Sequence, residues 1–147
     1  MRRKAHMTGM QGVYTVATEL TRRGLVVSPT SRSAYGADLL VTDQLCNHAW
    51  SVQVKTNFGR PKFWLLNKHA RETKSNTHVY VLVNLGQKND HQKSLPADFF
   101  VVPSRIVAGR MRKTPGRERT RTIFYSIFED KIIKYKNGWN LFGKQIQ

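Results

Sequence analysis

Apolar residues near the amino end of the chain recur at the spacing of an α-helix. Four of them lie at positions i, i+3, i+4 and i+7 and therefore share one stripe of an amphipathic helix: Val13, Val16, Ala17 and Leu20. This stripe predicts a helix over residues 9–23, with Thr8 as its amino-terminal cap. The basic residues 1–8 are then expected to form an arm in front of that helix.

Most of the other apolar residues come in short blocks that are typical of β-strands. Residues 50–55 alternate between apolar and polar, and residues 78–85 form an unbroken apolar run, as in a strand buried on both faces. Further strands are predicted at residues 25–28, 39–41, 99–102 and 122–128, and short helices at residues 67–73 and 105–111. This order predicts an α/β fold, with a mixed central β-sheet flanked by helices, in a single domain of residues 1–147.

Three polar residues lie where two of the predicted strands meet. Asp38 precedes the strand at residues 39–41, and Gln53 and Lys55 share one face of the next strand. If the two strands pair as a hairpin, all three side chains converge at one edge of the sheet. A carboxylate, an amide oxygen and an ammonium group there could hold a divalent metal and a water beside a phosphate. The alternative is that Asp38 caps a turn and the other two side chains face solvent.

The chain is strongly basic. Twenty-five Lys and Arg residues against nine Asp and Glu residues give a net charge of +16. Such an excess is best explained by a polyanionic partner, and nucleic acid is the first candidate. Cys46 is the only cysteine and no run of 18 apolar residues occurs, so we expect a cytoplasmic protein without a membrane partner. The five histidines show no metal-binding spacing and are predicted on surfaces or in loops.

Two groups of basic residues are candidate contacts to phosphates. The first recurs along the predicted helix at residues 67–73 and just beyond it: Lys68, Arg71 and Lys74. The second lies in a predicted flexible loop at residues 110–121: Arg110, Arg112, Lys113, Arg117, Arg119 and Arg121. A solvated helix face would also explain the first group. The second group could equally be a tether that orders only on its partner.

The order of elements, with Gly36-Ala37-Asp38 and then Gln53-Val54-Lys55 after fourteen residues, resembles the PD-(D/E)XK nuclease superfamily. Restriction-endonuclease-like and Holliday-junction-resolvase-like enzymes belong to this superfamily, and the similarity covers residues 9–85. The resemblance implies a restriction-endonuclease-like fold, with Mg²⁺ or Mn²⁺ as cofactor. It also implies that Asp38 binds the metal, that Gln53 and the Val54 carbonyl supply further ligands, and that Lys55 orients or activates the attacking water.

Two functions follow from the resemblance. The first is an endonuclease that hydrolyses DNA phosphodiester bonds; a homodimer would suit it, because many such folds cut two strands. The alternative is a nucleic-acid-binding protein that keeps the fold with weak or no catalysis. Two departures motivate the alternative: Val13 follows Gly12 where many relatives carry Glu in the first helix, and Gln53 stands where Glu is usual.

Overall fold

The first helix is longer than its apolar stripe predicts. A computed structural model of the protein describes residues 2–31, 36–87, 93, 95–116 and 122–143. In it α1 spans Arg2–Arg22, so the predictions of an arm at residues 1–8 and of a cap at Thr8 are wrong for the described residues 2–8. Thr8 Oγ1 instead donates to the Lys4 carbonyl inside the helix at 2.9 Å. No proline or turn signal interrupts this segment, and Lys, Ala and Met favour helix, so the helix continues to Arg2.

Eight strands form two sheets in the described part of the chain. They are β1 (Val26–Pro29), β2 (Leu39–Thr42), β3 (Ala49–Asn57), β4 (Phe63–Leu66), β5 (His78–Asn84), β6 (Asp98–Pro103), β7 (Arg112–Pro115) and β8 (Ile123–Phe128). The main sheet has the order β1-β2-β3-β5-β6, with β3 and β5 parallel and the other neighbours antiparallel. The predicted mixed central sheet is confirmed.

The small sheet has the order β4-β8-β7. Two of its strands, β4 and β7, were not predicted from the sequence. Residues 110–121 were predicted to form a flexible loop. Instead, Arg110 is the last residue of helix α2 (Ser104–Arg110) and residues 112–115 form β7, so the loop prediction is wrong for these residues. All four β7 residues are exposed and carry no apolar pattern; the strand exists because it pairs with β8. Three predicted contacts, Arg117, Arg119 and Arg121, lie outside the described residues.

The main sheet separates two hydrophobic clusters. The stripe of α1 packs on one face against β3 residues Val52 and Val54, together with Trp139 and Phe142 from the carboxyl-terminal part. On the other face the small sheet and α2 cover β5 and β6, with Trp64 as the largest buried side chain. A 3₁₀ helix, Lys68–Arg71, replaces the predicted helix at residues 67–73. Asn67 caps its amino end, and the Asn67 side chain accepts from the His69 N–H at 3.1 Å.

Gly12 sets the distance between α1 and β3. A methyl group added at this position would overlap the Thr56 side chain, lying 2.7 Å from its Cβ atom. Only a glycine lets the helix backbone come this close to the strand. This contact holds the amino-terminal half of α1 beside the end of β3 that carries the candidate site.

Candidate active site

Asp38 is tied to the central strand by two hydrogen bonds. β2 and β3 pair antiparallel with Leu39 opposite Val52, which is the hairpin that the sequence led us to expect. Just before β2, the Asp38 N–H donates to the Val52 carbonyl at 2.8 Å. The Val54 N–H in turn donates to Asp38 Oδ2 at 2.7 Å, so the carboxylate takes the place of a strand carbonyl. The Asp38 side chain is therefore held against β3, between the positions of Gln53 and Lys55.

Lys55 is half-buried close to this carboxylate. Burial lowers the pKa of Lys55 from its ordinary value of 10.5, and the negative charge of Asp38 opposes that shift. His78 responds in the same way: burial lowers its pKa from 6.5, and Asp38 again raises it in part. The charge of Asp38 thus reaches both side chains.

Helix α1 and Asp38 line one cavity of about 600 Å³. Val13, where many relatives carry Glu, lies in its wall together with His6 and Tyr14. His6 was not predicted because residues 1–8 were expected to form an arm, and Tyr14 was not predicted because it lies beside the apolar stripe of the helix. The available signal was the continuation of the helical spacing back through Met10 to His6.

Gln53 lines a second cavity, of about 530 Å³, together with Ser51, His78 and Tyr80. Ser51 Oγ and His78 Nδ1 are 2.6 Å apart, and burial raises the pKa of Tyr80 to about 12. The surface position predicted for His78 is wrong, because this side chain is only 7% exposed. His78 is buried because it is the first residue of β5, a strand that is buried along its whole length.

The two cavities adjoin at the segment formed by Gly36, Ala37 and Asp38. Gly36 and Ala37 line the second cavity and Asp38 lines the first. The structure therefore brings Asp38 together with Val54 and Lys55, whereas Gln53 faces the neighbouring cavity. The convergence of all three polar side chains remains a prediction.

A divalent metal would find few protein ligands here. Within the part of the chain that the structure describes, no three His, Cys, Asp or Glu side chains are grouped as a metal site. Mg²⁺, however, commonly keeps several waters and is held by one or two carboxylates plus substrate phosphate. The single carboxylate of Asp38, fixed on β3, fits an ion bound in that way.

The predicted phosphate contacts that the structure describes lie on the surface. Lys68, Arg71 and Lys74 are exposed, and the Arg71 guanidinium lies 5.8 Å from the centroid of the Tyr125 ring. Arg112 and Lys113 are exposed on β7. Arg110 donates to the Lys131 carbonyl at 2.6 Å. No described helix is long and apolar enough to cross a membrane.

The electrostatic link from Asp38 to Lys55 and His78 is open to a direct test. We expect Asp38→Asn to lower the pKa of both side chains further, because the carboxylate that favours their charged forms is removed while their burial remains. An asparagine Oδ1 can still accept from the Val54 N–H, so the local fold is kept. NMR titration of the Lys55 Cε and His78 ring resonances measures both values.

Asp43→Asn is the matched control for this titration. It removes one negative charge in the turn between β2 and β3, where Asp43 Oδ2 lies 2.8 Å from His48 Nδ1. We expect it to leave Lys55 and His78 unchanged. Equal shifts in both variants would mean that overall charge, and not the position of Asp38, sets these pKa values.

The fold has a counterpart among solved structures. No protein-family model matches the chain, and no curated protein sequence does. The chain is similar, with a TM-score of 0.56, to the 1.6 Å structure of Archaeoglobus fulgidus Hjc, a Holliday junction resolvase from an archaeal hyperthermophile. The two chains are 11% identical, and the match covers 95% of this chain and 98% of the resolvase. This protein therefore shares the mixed α/β fold of that resolvase structure, which is consistent with the restriction-endonuclease-like fold that its sequence predicted.

Proposed function

We propose that the protein is a metal-dependent endonuclease that hydrolyses phosphodiester bonds in DNA. The observation that carries the proposal is the Asp38 carboxylate, anchored on the Val54 N–H of the strand that bears Gln53 and Lys55. The fold shared with a Holliday junction resolvase supports it, and so does a net charge of +16, which attracts a polyanion. The single cysteine suits a reducing compartment, and we place the activity in the cytoplasm.

The chain's own residues divide the chemistry between them. Asp38 would hold Mg²⁺ or Mn²⁺, with the Gln53 amide and the Val54 carbonyl as further ligands. Such an ion, when bound, neutralises charge on the phosphate and makes its bound water more acidic. Lys55 would orient the attacking water and, in its neutral form, accept a proton from it. Because burial lowers the pKa of Lys55, that neutral form is reached at a lower pH than for an exposed lysine.

DNA would be held through backbone phosphates by the basic residues of the surface. The proposed contacts among the described residues are Lys68, Arg71, Lys74, Arg110, Arg112 and Lys113. Arg117, Arg119 and Arg121 continue the same basic stretch outside the described residues. Phosphate contacts give affinity without reading sequence, so this surface suits recognition of DNA shape. A homodimer would present two such sites to the two strands.

A second candidate function is DNA binding without cleavage. Val13 favours it, because this apolar side chain lines the cavity of Asp38 where many relatives supply a carboxylate. Among the described residues that line this cavity, Asp38 is the only acid. One carboxylate binds a divalent ion more weakly than two do. On this hypothesis the fold serves to hold DNA, and the basic surface carries the function.

Cleavage of supercoiled plasmid and of a four-way DNA junction separates the two candidates. We expect the wild-type protein to cut with Mg²⁺ or Mn²⁺ and not with EDTA. Lys55→Ala should lower the rate by about 10²-fold or more, the usual effect of removing a positioned acid–base group. Lys134→Ala removes the same charge from an exposed side chain that belongs to none of the proposed DNA contacts, and should keep the rate. Salt-sensitive DNA binding without any cutting would support the second candidate.

A further inference from the structure

We propose that the outer face of the small sheet binds single-stranded nucleic acid by stacking unpaired bases on its aromatic side chains. This stacking face consists of side chains from all three strands of the sheet: Phe63, Leu65, Arg112, Thr114, Phe124 and Phe128. The cleavage proposal uses only Arg112 of these residues, and only as a phosphate contact.

The strand register places these residues on one side of the sheet. Phe63 of β4 is opposite Phe128 of β8, and Thr114 of β7 is opposite Phe124 of β8. Side chains directly opposite each other in antiparallel strands point to the same face, and residues two positions apart do so as well. The small side chain of Ser126 lies between them, opposite both Leu65 and Arg112.

The stacking face is open to solvent although it is apolar. Phe63 is 40% exposed, Phe124 is 45% exposed and Leu65 is 56% exposed. The alternate residues Trp64, Leu66 and Ile127 point into the core and bury the inner face. Antiparallel sheets with one solvated face usually carry polar residues there, so several large apolar side chains on this face indicate a binding surface.

The geometry of the aromatic rings suits bases. The Phe63 and Phe128 ring centroids are 5.8 Å apart with a tilt of 36°. The Arg112 guanidinium lies 5.5 Å from the centroid of the Phe128 ring, so a cation and an aromatic plane are presented side by side. Aromatic rings and arginine planes on an open sheet are the surfaces on which unpaired bases stack. The bases of a duplex are already stacked on each other and cannot use such a surface.

The positive charge around the stacking face favours a nucleic acid as its ligand. Arg112 is exposed on β7, and Lys62, next to Phe63, is 87% exposed. The carboxylate that faces Lys62 belongs to Glu129, at 3.9 Å. An apolar strip bordered by cations, on a chain with a net charge of +16, is complementary to bases attached to a phosphate backbone.

The test compares the affinity of the full chain for a fluorescent single-stranded oligothymidine and for a hairpin duplex, by anisotropy at fixed salt. Phe63→Leu and Phe124→Leu keep an exposed apolar side chain and remove the ring. Each should weaken single-strand binding by about fivefold or more, the lower end for loss of one base–aromatic stack. Duplex binding should stay unchanged in both variants. Leu45→Ala removes a 65% exposed apolar side chain from the turn between β2 and β3, outside the stacking face, and should change neither affinity.

Three results would overturn the proposal. One is unchanged single-strand affinity in the double variant Phe63→Leu with Phe124→Leu. Another is an equal loss of single-strand and duplex affinity, which would indicate general damage to the surface. The third is a wild-type dimer in sedimentation that Phe124→Asp dissociates, which would make the face an interface between two copies. Because the readout is binding without cleavage, the proposal can fail or hold whether or not the protein cuts DNA.

Discussion

Asp38→Asn is expected to lower metal-dependent DNA cleavage by about 10²-fold or more, the scale seen when one preorganised electrostatic group is lost from a transition state. The carboxylate supplies the negative charge that would hold the ion, and an amide cannot replace that charge. The amide oxygen introduced by this substitution can still accept from the Val54 N–H, so the hairpin should stay intact. Initial rates on plasmid at several Mg²⁺ concentrations measure the effect.

DNA binding by this variant should not weaken, because removing a negative charge lowers the repulsion of phosphates. Asp43→Asn removes one carboxylate from the neighbouring turn and serves as the control; we expect it to cut at the wild-type rate. Undiminished cleavage by Asp38→Asn would place the chemistry elsewhere and would remove the basis of the proposed function.

Gly12→Ala is expected to destabilise the fold by about 1–3 kcal/mol, the usual effect of adding a methyl group to a closely packed site. The new methyl group would overlap Thr56, whose Oγ1 is already buried without a hydrogen-bond partner in the described structure. Thr56 belongs to β3, at the centre of the main sheet, so the helix must move instead. Thermal and chemical unfolding measure the change in the free energy of unfolding.

Gly9→Ala is the matched control on the same helix. No atom lies within 4 Å of a methyl group added at Gly9, so the gain in helix propensity should stabilise the protein by about 0.5–1 kcal/mol. In a Thr56→Gly background the effect of Gly12→Ala should shrink, because the overlapping side chain is gone. Equal stability of the Gly9→Ala and Gly12→Ala variants would contradict the close contact between helix and strand.

The two proposed activities use different parts of the molecule. Asp38 directly precedes β2 and Lys55 lies on β3 of the main sheet, whereas Phe63 and Phe124 lie on the outer face of the small sheet. A protein with both would cut DNA and hold unpaired strands. Branched DNA offers a backbone to cut and, where strands separate, bases to stack, so the four-way junction is the substrate on which both effects can be measured together.

Local patterns in the chain were enough to predict the strands of the main sheet and the hairpin of β2 and β3 that follows Asp38. The alternation in residues 50–55 decides which side chains of β3 face the α1 stripe, because side chains alternate strictly along a strand. The unbroken apolar run of β5 likewise predicted a strand buried on both faces. Such patterns can be read without knowing what packs against them.

Which groups share a cavity depended on the assembled fold. Gln53 and Asp38 belong to adjacent strand positions but face different cavities, since the wall of one comes from α1 and that of the other from the segment around His69. β7 exists through its pairing with β8, and Phe63 is exposed because nothing described covers that face. Periodicity determines the face on which a side chain lies, whereas its neighbours come from segments distant in sequence, which only folding brings together.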